Sequence, residues 1–232
     1  MSFYDRLIRA TERERATLIS VPVIQRALRG DVSRELYLAF LGQAYHHVKH
    51  TVPLLMACGG RLPDRLDALR DAIVRYVAEE HGHEQWILDD IRAAGGDAES
   101  VRAAVPAAAT ELMVAYAYHT IDRIDPVGFF GMVLVLEGTS VALAERAADA
   151  MQASLDLPRA ALRYLYSHGA VDQDHIGFLR GLLDQLDDPR DRDAVEHAAR
   201  RFYGLYADVF RTLPAESMSA RPLPLTVSGV LR

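Results

Sequence analysis

His168, Asp172 and His175 interrupt an otherwise apolar run of Leu165, Leu179, Leu182 and Leu186. Steps of three and four residues put all seven on one face of a helix. Leucines mark that face as turned toward a core, so three titratable groups are carried inward with them. Burying such groups without partners costs roughly several kcal/mol each unless they are paired, neutralised or bound to a cation. Two imidazoles and a carboxylate aimed at one place suggest a cation.

Two further segments carry the same conflict between pattern and residue type. Ile73, Tyr76, Glu80, His83 and Ile87 form one stripe, in which Glu80 and His83 occupy apolar positions. Their Glu-x-x-His spacing is the one used by carboxylate-bridged dimetal sites in helical bundles. The flanking Glu79, His81 and Glu84 fall off the stripe and read as solvated or supporting groups. Glu137 is a lone carboxylate following the apolar stretch from Phe129 to Leu136. Taken alone, Glu137 fits a structural role such as capping a neighbouring helix. With two other segments also aiming acid and imidazole inward, it reads as a ligand.

Glu80, His83, Glu137, His168, Asp172 and His175 make a mixed nitrogen and oxygen donor set without thiolate. That set suits iron, manganese or, less specifically, zinc. It is larger than one catalytic metal with open positions needs, so two metals are the natural reading. Two divalent cations against three carboxylates leave about one positive charge, to which an anion can bind. The alternative, a purely structural polar network, would leave acids crowded together and relieved only by protonation.

The elements that position these residues are helical almost throughout. Periodicity predicts helices at about 3–18, 22–29, 31–57, 63–95, 105–123, 126–153, 158–186 and 189–213, with no convincing strand. Asp31 is the expected cap of the third. Asp125-Pro126 and Asp156-Leu157-Pro158 read as starts of the helices that follow. Short connections favour one all-α bundle over residues 1–213, with a proline-rich extended tail over 214–232. That tail is expected to pack on its own domain.

On the third helix Leu36, Phe40, Gln43, His47, His50 and Leu54 form an inward stripe. His47 and His50 are candidates to meet a substrate or to support the metal ligands; buried histidines can equally satisfy neighbouring acceptors. Tyr45, His46 and Lys49 lie off the stripe and are expected to be exposed. Tyr76, one turn before Glu80, is a candidate substrate-side or hydrogen-bonding group, or simply a core tyrosine.

At these residues the chain resembles the heme-oxygenase-like diiron oxidases and oxygenases, a family sharing its bundle with heme oxygenases and thiaminase II proteins. The elements that carry the resemblance are Glu80/His83, then Glu137, then His168-x-x-x-Asp172-x-x-His175, across about residues 3–213. The resemblance implies a single-domain heme-oxygenase-like fold of seven to eight helices. It implies two irons per chain, or manganese with iron, and O2 as co-substrate. The expected reaction is oxidation or oxygenation of a small amine- or carboxylate-bearing metabolite, with Glu80 bridging the metals. A metal-free member of the fold, acting as a thiaminase II-like hydrolase through Cys58 or as a cofactorless oxidase, is the alternative. No histidine in the first helices suits a heme axial ligand.

Composition narrows the partners. The chain has 232 residues, half of them hydrophobic, and a net charge of -6, without the basic face that nucleic acid requires. One cysteine fits a reducing compartment. No secretory leader or membrane-length apolar run is read, so a cytoplasmic protein, most simply a homodimer, is expected.

Overall fold

The structure, a computed structural model, describes residues 1–214, apart from the side chains of residues 169–173. The tail beyond 214 and the side chain of Asp172 therefore lie outside the described residues. The architecture is all-helical, with no strand among the described residues.

Several expected long helices are broken in two. Thr11 separates α1 (Phe3–Ala10) from α2 (Glu12–Ile19), and α3 (Pro22–Ala27) follows. The predicted 31–57 helix divides at Lys49-His50 into α4 (Arg34–Val48) and α5 (Thr51–Gly59). The predicted 63–95 helix divides at His81-Gly82 into α6 (Asp67–Glu80) and α7 (His83–Ala93). A short α8 (Ala98–Ala103) occupies what sequence periodicity left as a connection. Next come α9 (Ala108–His119), α10 (Phe129–Leu155), α11 (Arg163–Leu183) and α12 (Pro189–Arg211).

The caps explain some boundaries and correct others. Ser33, not Asp31, caps α4, its Oγ accepting from Leu36 N at 3.1 Å; Asp31 pairs with Arg26 instead. Asp125 accepts from Val127 N at 2.9 Å and opens the turn before α10 as expected. Asp156 closes α10 in the left-handed conformation, with φ 49°, rather than opening the next helix. Asp188-Pro189 starts α12, with Asp188 accepting from Arg190 N at 2.9 Å.

The central element is α10, which at 1.5 Å per residue is about 40 Å long and packs along α11 and α12. Its first turns bury Phe129, Phe130, Leu134 and Val135, each worth roughly 1.5–3 kcal/mol on leaving water. Gly131 lets α12 come close: a Cβ there would stand 2.6 Å from Val195 O and 2.7 Å from Ala199 N. Counted with its preceding turn, Pro126–Leu155 is long and apolar enough to cross a membrane by length and composition. This corrects the reading that no such run exists; here most of that surface is buried by the protein itself.

Two apolar clusters form the core. One gathers Leu54, Leu55, Ile73, Tyr76, Phe130 and Phe202; the other gathers Leu36, Tyr37, Leu41, Ile87, Ile91 and Met151. α10 contributes to both, and Glu137 lies on it between their contributions.

Candidate metal centre

Glu80 is the last residue of α6 and His83 the first of α7, so the pair does not share one continuous helix. His81 is extended and Gly82 takes φ +91°, a left-handed conformation that glycine adopts without penalty. The break nonetheless keeps the two side chains together: Glu80 Oε2 lies 2.9 Å from His83 Nδ1. Both are buried.

α11 brings the histidines against this pair. The His168 and His83 rings meet edge to face, with centroids 4.9 Å apart. One ligand atom from each of Glu80, His83 and His168 lies within 4.8 Å of the other two. Two turns further along α11, His175 Nδ1 is 3.7 Å from Glu80 Oε1 and 3.4 Å from Glu137 Oε1. Glu80 therefore stands between two groups of donors, one oxygen toward His83 and the other toward His175. The structure brings Glu80, His83, Glu137, His168 and His175 together; Asp172 lies on the same helix, and its side chain is outside the described residues.

The electrostatics show what this cluster costs without a cation. Burial alone would raise the Glu80 carboxyl, but the His83 hydrogen bond and the charges of His168 and His175 hold it below the usual range. Burial pulls the His175 imidazole down, yet Glu137, Glu80 and Glu79 outweigh it and raise the group to about 9. A proton on His175 thus takes the place that a divalent cation would fill among the same carboxylates.

Glu79 has a part that its off-stripe position only hinted at. Its Oε2 lies 2.8 Å from His175 Nε2, and its Oε1 accepts from Arg75 Nε at 2.9 Å. In the neutral ring that a metal would require, Nε2–H donated to Glu79 makes Nδ1, which faces Glu80 and Glu137, the ligating nitrogen.

Asp90 was missed. It sits fully buried on α7 and accepts from Tyr164 N at 2.8 Å in the first turn of α11, capping from outside the helix that carries His168 and His175. A carboxylate among Ile87, Leu88 and Ile91 was the available signal, and its partner is distant in sequence.

The substrate-side candidates separate. Tyr76 is buried, its hydroxyl 3.5 Å from Glu137 Oε2 and its ring centroid 5.1 Å from that of His175. His47 is buried and lines a cavity beside the ligands, its ring against Tyr206. Burial and the neighbouring histidines depress its imidazole to about 3, so it is neutral. His50 does not line that cavity; the break after Val48 turns it toward Tyr118, 3.2 Å from the phenol oxygen. Tyr45 and His46, expected to be exposed, are buried, and Lys49 lies 3.2 Å from His46 Nδ1. Gln43 accepts from Ala107 N and Thr110 Oγ1, a structural role.

A buried set of carboxylates and imidazoles, with one carboxylate between two donor groups, fits iron or manganese by its chemistry. Glu80, His83 and His168 would hold one ion, and Glu80, Glu137 and His175 a second.

Comparison with known proteins also points to iron. Residues 38–207 match the family described as iron-containing redox enzymes. No protein of curated function matches the chain. Among solved structures, a heme oxygenase-like domain of unknown function from Shewanella denitrificans is 23% identical, with 92% of each chain covered and a TM-score of 0.82. A TenA homolog from Pseudomonas syringae is 11% identical, covering 90% of this chain and 91% of its own, with a TM-score of 0.77. Heme oxygenase-1 from Synechocystis, solved with heme, is also 11% identical, covering 91% of both at a TM-score of 0.71. The solved structures establish a heme oxygenase-like fold, and the family match, spanning well over half of the chain, makes this protein a member of the iron-containing redox enzyme family.

Proposed function

We propose that the chain is a non-heme diiron oxidase or oxygenase acting on a small amine- or carboxylate-bearing metabolite. The observation that carries this reading is Glu80, with one oxygen 2.9 Å from His83 and the other 3.7 Å from His175. A carboxylate so placed is suited to bridge two ions. Iron bound there would supply activation of O2.

The protein's own residues have distinct tasks. Glu80, His83 and His168 would hold one ion, and Glu80, Glu137 and His175 would hold another. Glu79 accepts a hydrogen bond from His175 Nε2 and turns Nδ1 toward Glu80 and Glu137. Tyr76 orients Glu137 through its hydroxyl. The apolar walls next to Glu80 and Glu137 exclude water from the reacting groups.

The surroundings of Cys58 do not favour the metal-free hydrolase. Cys58 is fully buried, donates to Pro126 O at 3.3 Å and is not among the residues lining the cavity. Burial, aided by Asp125, pushes its thiol up to about 12.

Anaerobic loading with ferrous iron tests the proposal. Loading of about two irons per chain and a transient visible band on admitting O2 are expected. Unchanged iron binding after His168→Ala and Asp172→Ala together would sink it.

A further inference from the structure

We infer that Trp86 is a redox-active side chain: after O2 has reacted with no substrate in the cavity, it gives up an electron to the oxidised site and is restored from solvent. The inference rests on the diiron reading for its oxidant and on the packing around α7 for its route.

Trp86 is the sole tryptophan of the chain and lies on α7, three residues after His83. That spacing puts the two side chains on one helix face. The indole stacks on the His83 imidazole, with ring centroids 4.0 Å apart and an interplanar angle of 29°. It also meets His168 edge to face, at 6.4 Å. Both imidazoles belong with Glu80 to one candidate ion site. Arg163, the first residue of α11, sets its guanidinium 4.5 Å from the same indole's centroid, an attraction that holds the ring in place.

Exposure distinguishes Trp86 from the other aromatic residues beside the ligands. Tyr76 touches the His175 ring and Tyr164 touches the His168 ring, and both tyrosines are buried. Trp86 is only half-buried, so a small reductant reaches it from water. Nor is it among the described residues that line the cavity, whereas Glu80, Glu137 and His168 are. The indole thus joins a ligand to solvent by a path separate from the cavity.

Indole is among the most readily oxidised side chains, and contact with a ligand ring supplies the overlap that electron transfer needs. One electron leaves the Trp86 π system for the oxidised site. The Arg163 charge opposes a positive ring, so the indole N–H proton passes to solvent and a neutral radical remains on Trp86. A water-soluble one-electron donor, such as ascorbate, returns one electron, and a solvent proton restores the N–H. Without this outlet the oxidising equivalent falls on the ligands or on Tyr76, whose ring centroid is 5.1 Å from that of His175.

Electron paramagnetic resonance on the full chain tests the assignment. The protein is loaded anaerobically with ferrous iron, mixed with O2 in the absence of substrate and frozen at intervals. An organic radical signal should appear, should narrow when the chain is labelled with ring-deuterated tryptophan, and should vanish when ascorbate is present. After prolonged exposure without ascorbate, mass spectrometry should find added oxygen on the peptide that carries Trp86. Trp86→Phe keeps an aromatic face on His83 without the readily oxidised indole, so iron stoichiometry should be unchanged and the signal lost. The deuterium comparison uses the wild-type sequence and decides the matter even where the variant binds iron poorly. A signal indifferent to deuterated tryptophan, or no radical in protein holding about two irons per chain, overturns the inference and leaves the diiron reading standing. Iron loading far short of that sinks the diiron reading and this inference with it.

Discussion

His175 and Glu79 meet with 2.8 Å between Nε2 and Oε2, and this contact determines which nitrogen of the imidazole faces Glu80 and Glu137. Arg75 holds Glu79 from the other side, at 2.9 Å. Partners of this kind, behind a ligating histidine, typically account for 10–100-fold in metal affinity. Glu79→Ala should weaken ferrous iron binding by that order, as read by competition with a chelator. Glu79→Gln, which keeps an acceptor oxygen, should recover part of the loss. Affinity unchanged in Glu79→Ala would show that the ring needs no such support.

The turn between α6 and α7 is equally exposed to test. Gly82 has φ +91°, and a Cβ added there would meet nothing within 4 Å, so only backbone strain opposes a side chain. The left-handed conformation costs an ordinary L-residue about 1–2 kcal/mol. Gly82→Ala should therefore lower Tm by roughly 2–4 °C per kcal/mol for a domain of this size, and should loosen the Glu80–His83 contact. Gly82→Asn should cost less, because asparagine tolerates this region better. Equal melting temperatures for wild type and Gly82→Ala would contradict the assigned backbone.

How much of this was legible beforehand follows from which interactions are local. The steps from Leu165 through His168 and His175 to Leu179 lie on one unbroken helix, and periodicity alone aligns His168 and His175. Glu137 stood out because a single acid follows an apolar run. The partition of 63–95 was not read, although the glycine was in plain view between two histidines. Apolar periodicity continues from Ile73 to Ile87 across the break and masks it, because the turn keeps Glu80 and His83 on the same side. His46 read as exposed because the stripe was drawn on a single helix, whereas α4 is covered on more than one side, by α7 and α9 among others. The capping of α11 by Asp90 spans 74 positions in sequence, and no local pattern carries such a contact.

Cys58 offers a check on the metal-free alternative. With the thiol pushed up to about 12, roughly one molecule in ten thousand carries a thiolate at pH 8, and the thiolate is the reactive form. The native protein should resist iodoacetamide over hours and react promptly once denatured. Cys58→Ala should leave iron stoichiometry unaltered. Rapid alkylation of the folded chain would instead mark an accessible nucleophile and revive the hydrolase reading.

Asp90 gives the clearest dependence on pH. Burial raises its carboxyl to about 7, even though the backbone amides of Tyr164 and Arg163 and the Arg163 charge pull the other way. The folded value therefore lies above that of an unfolded aspartate, near 3.9. The folded state binds the extra proton, so the stabilising contribution is complete below about pH 4 and is lost as pH rises through about 7. Asp90→Asn keeps an acceptor for Tyr164 N and has no charge to bury. Its melting temperature should accordingly gain on wild type as pH rises from 5 to 8. Asp90→Ala removes the acceptor as well and should cost about 1–3 kcal/mol, the penalty of a buried amide left unpaired. Because that amide opens the helix carrying His168 and His175, Asp90→Ala should also weaken iron binding, whereas Asp90→Asn should not. Parallel pH profiles for wild type and Asp90→Asn would rule out a raised Asp90 carboxyl.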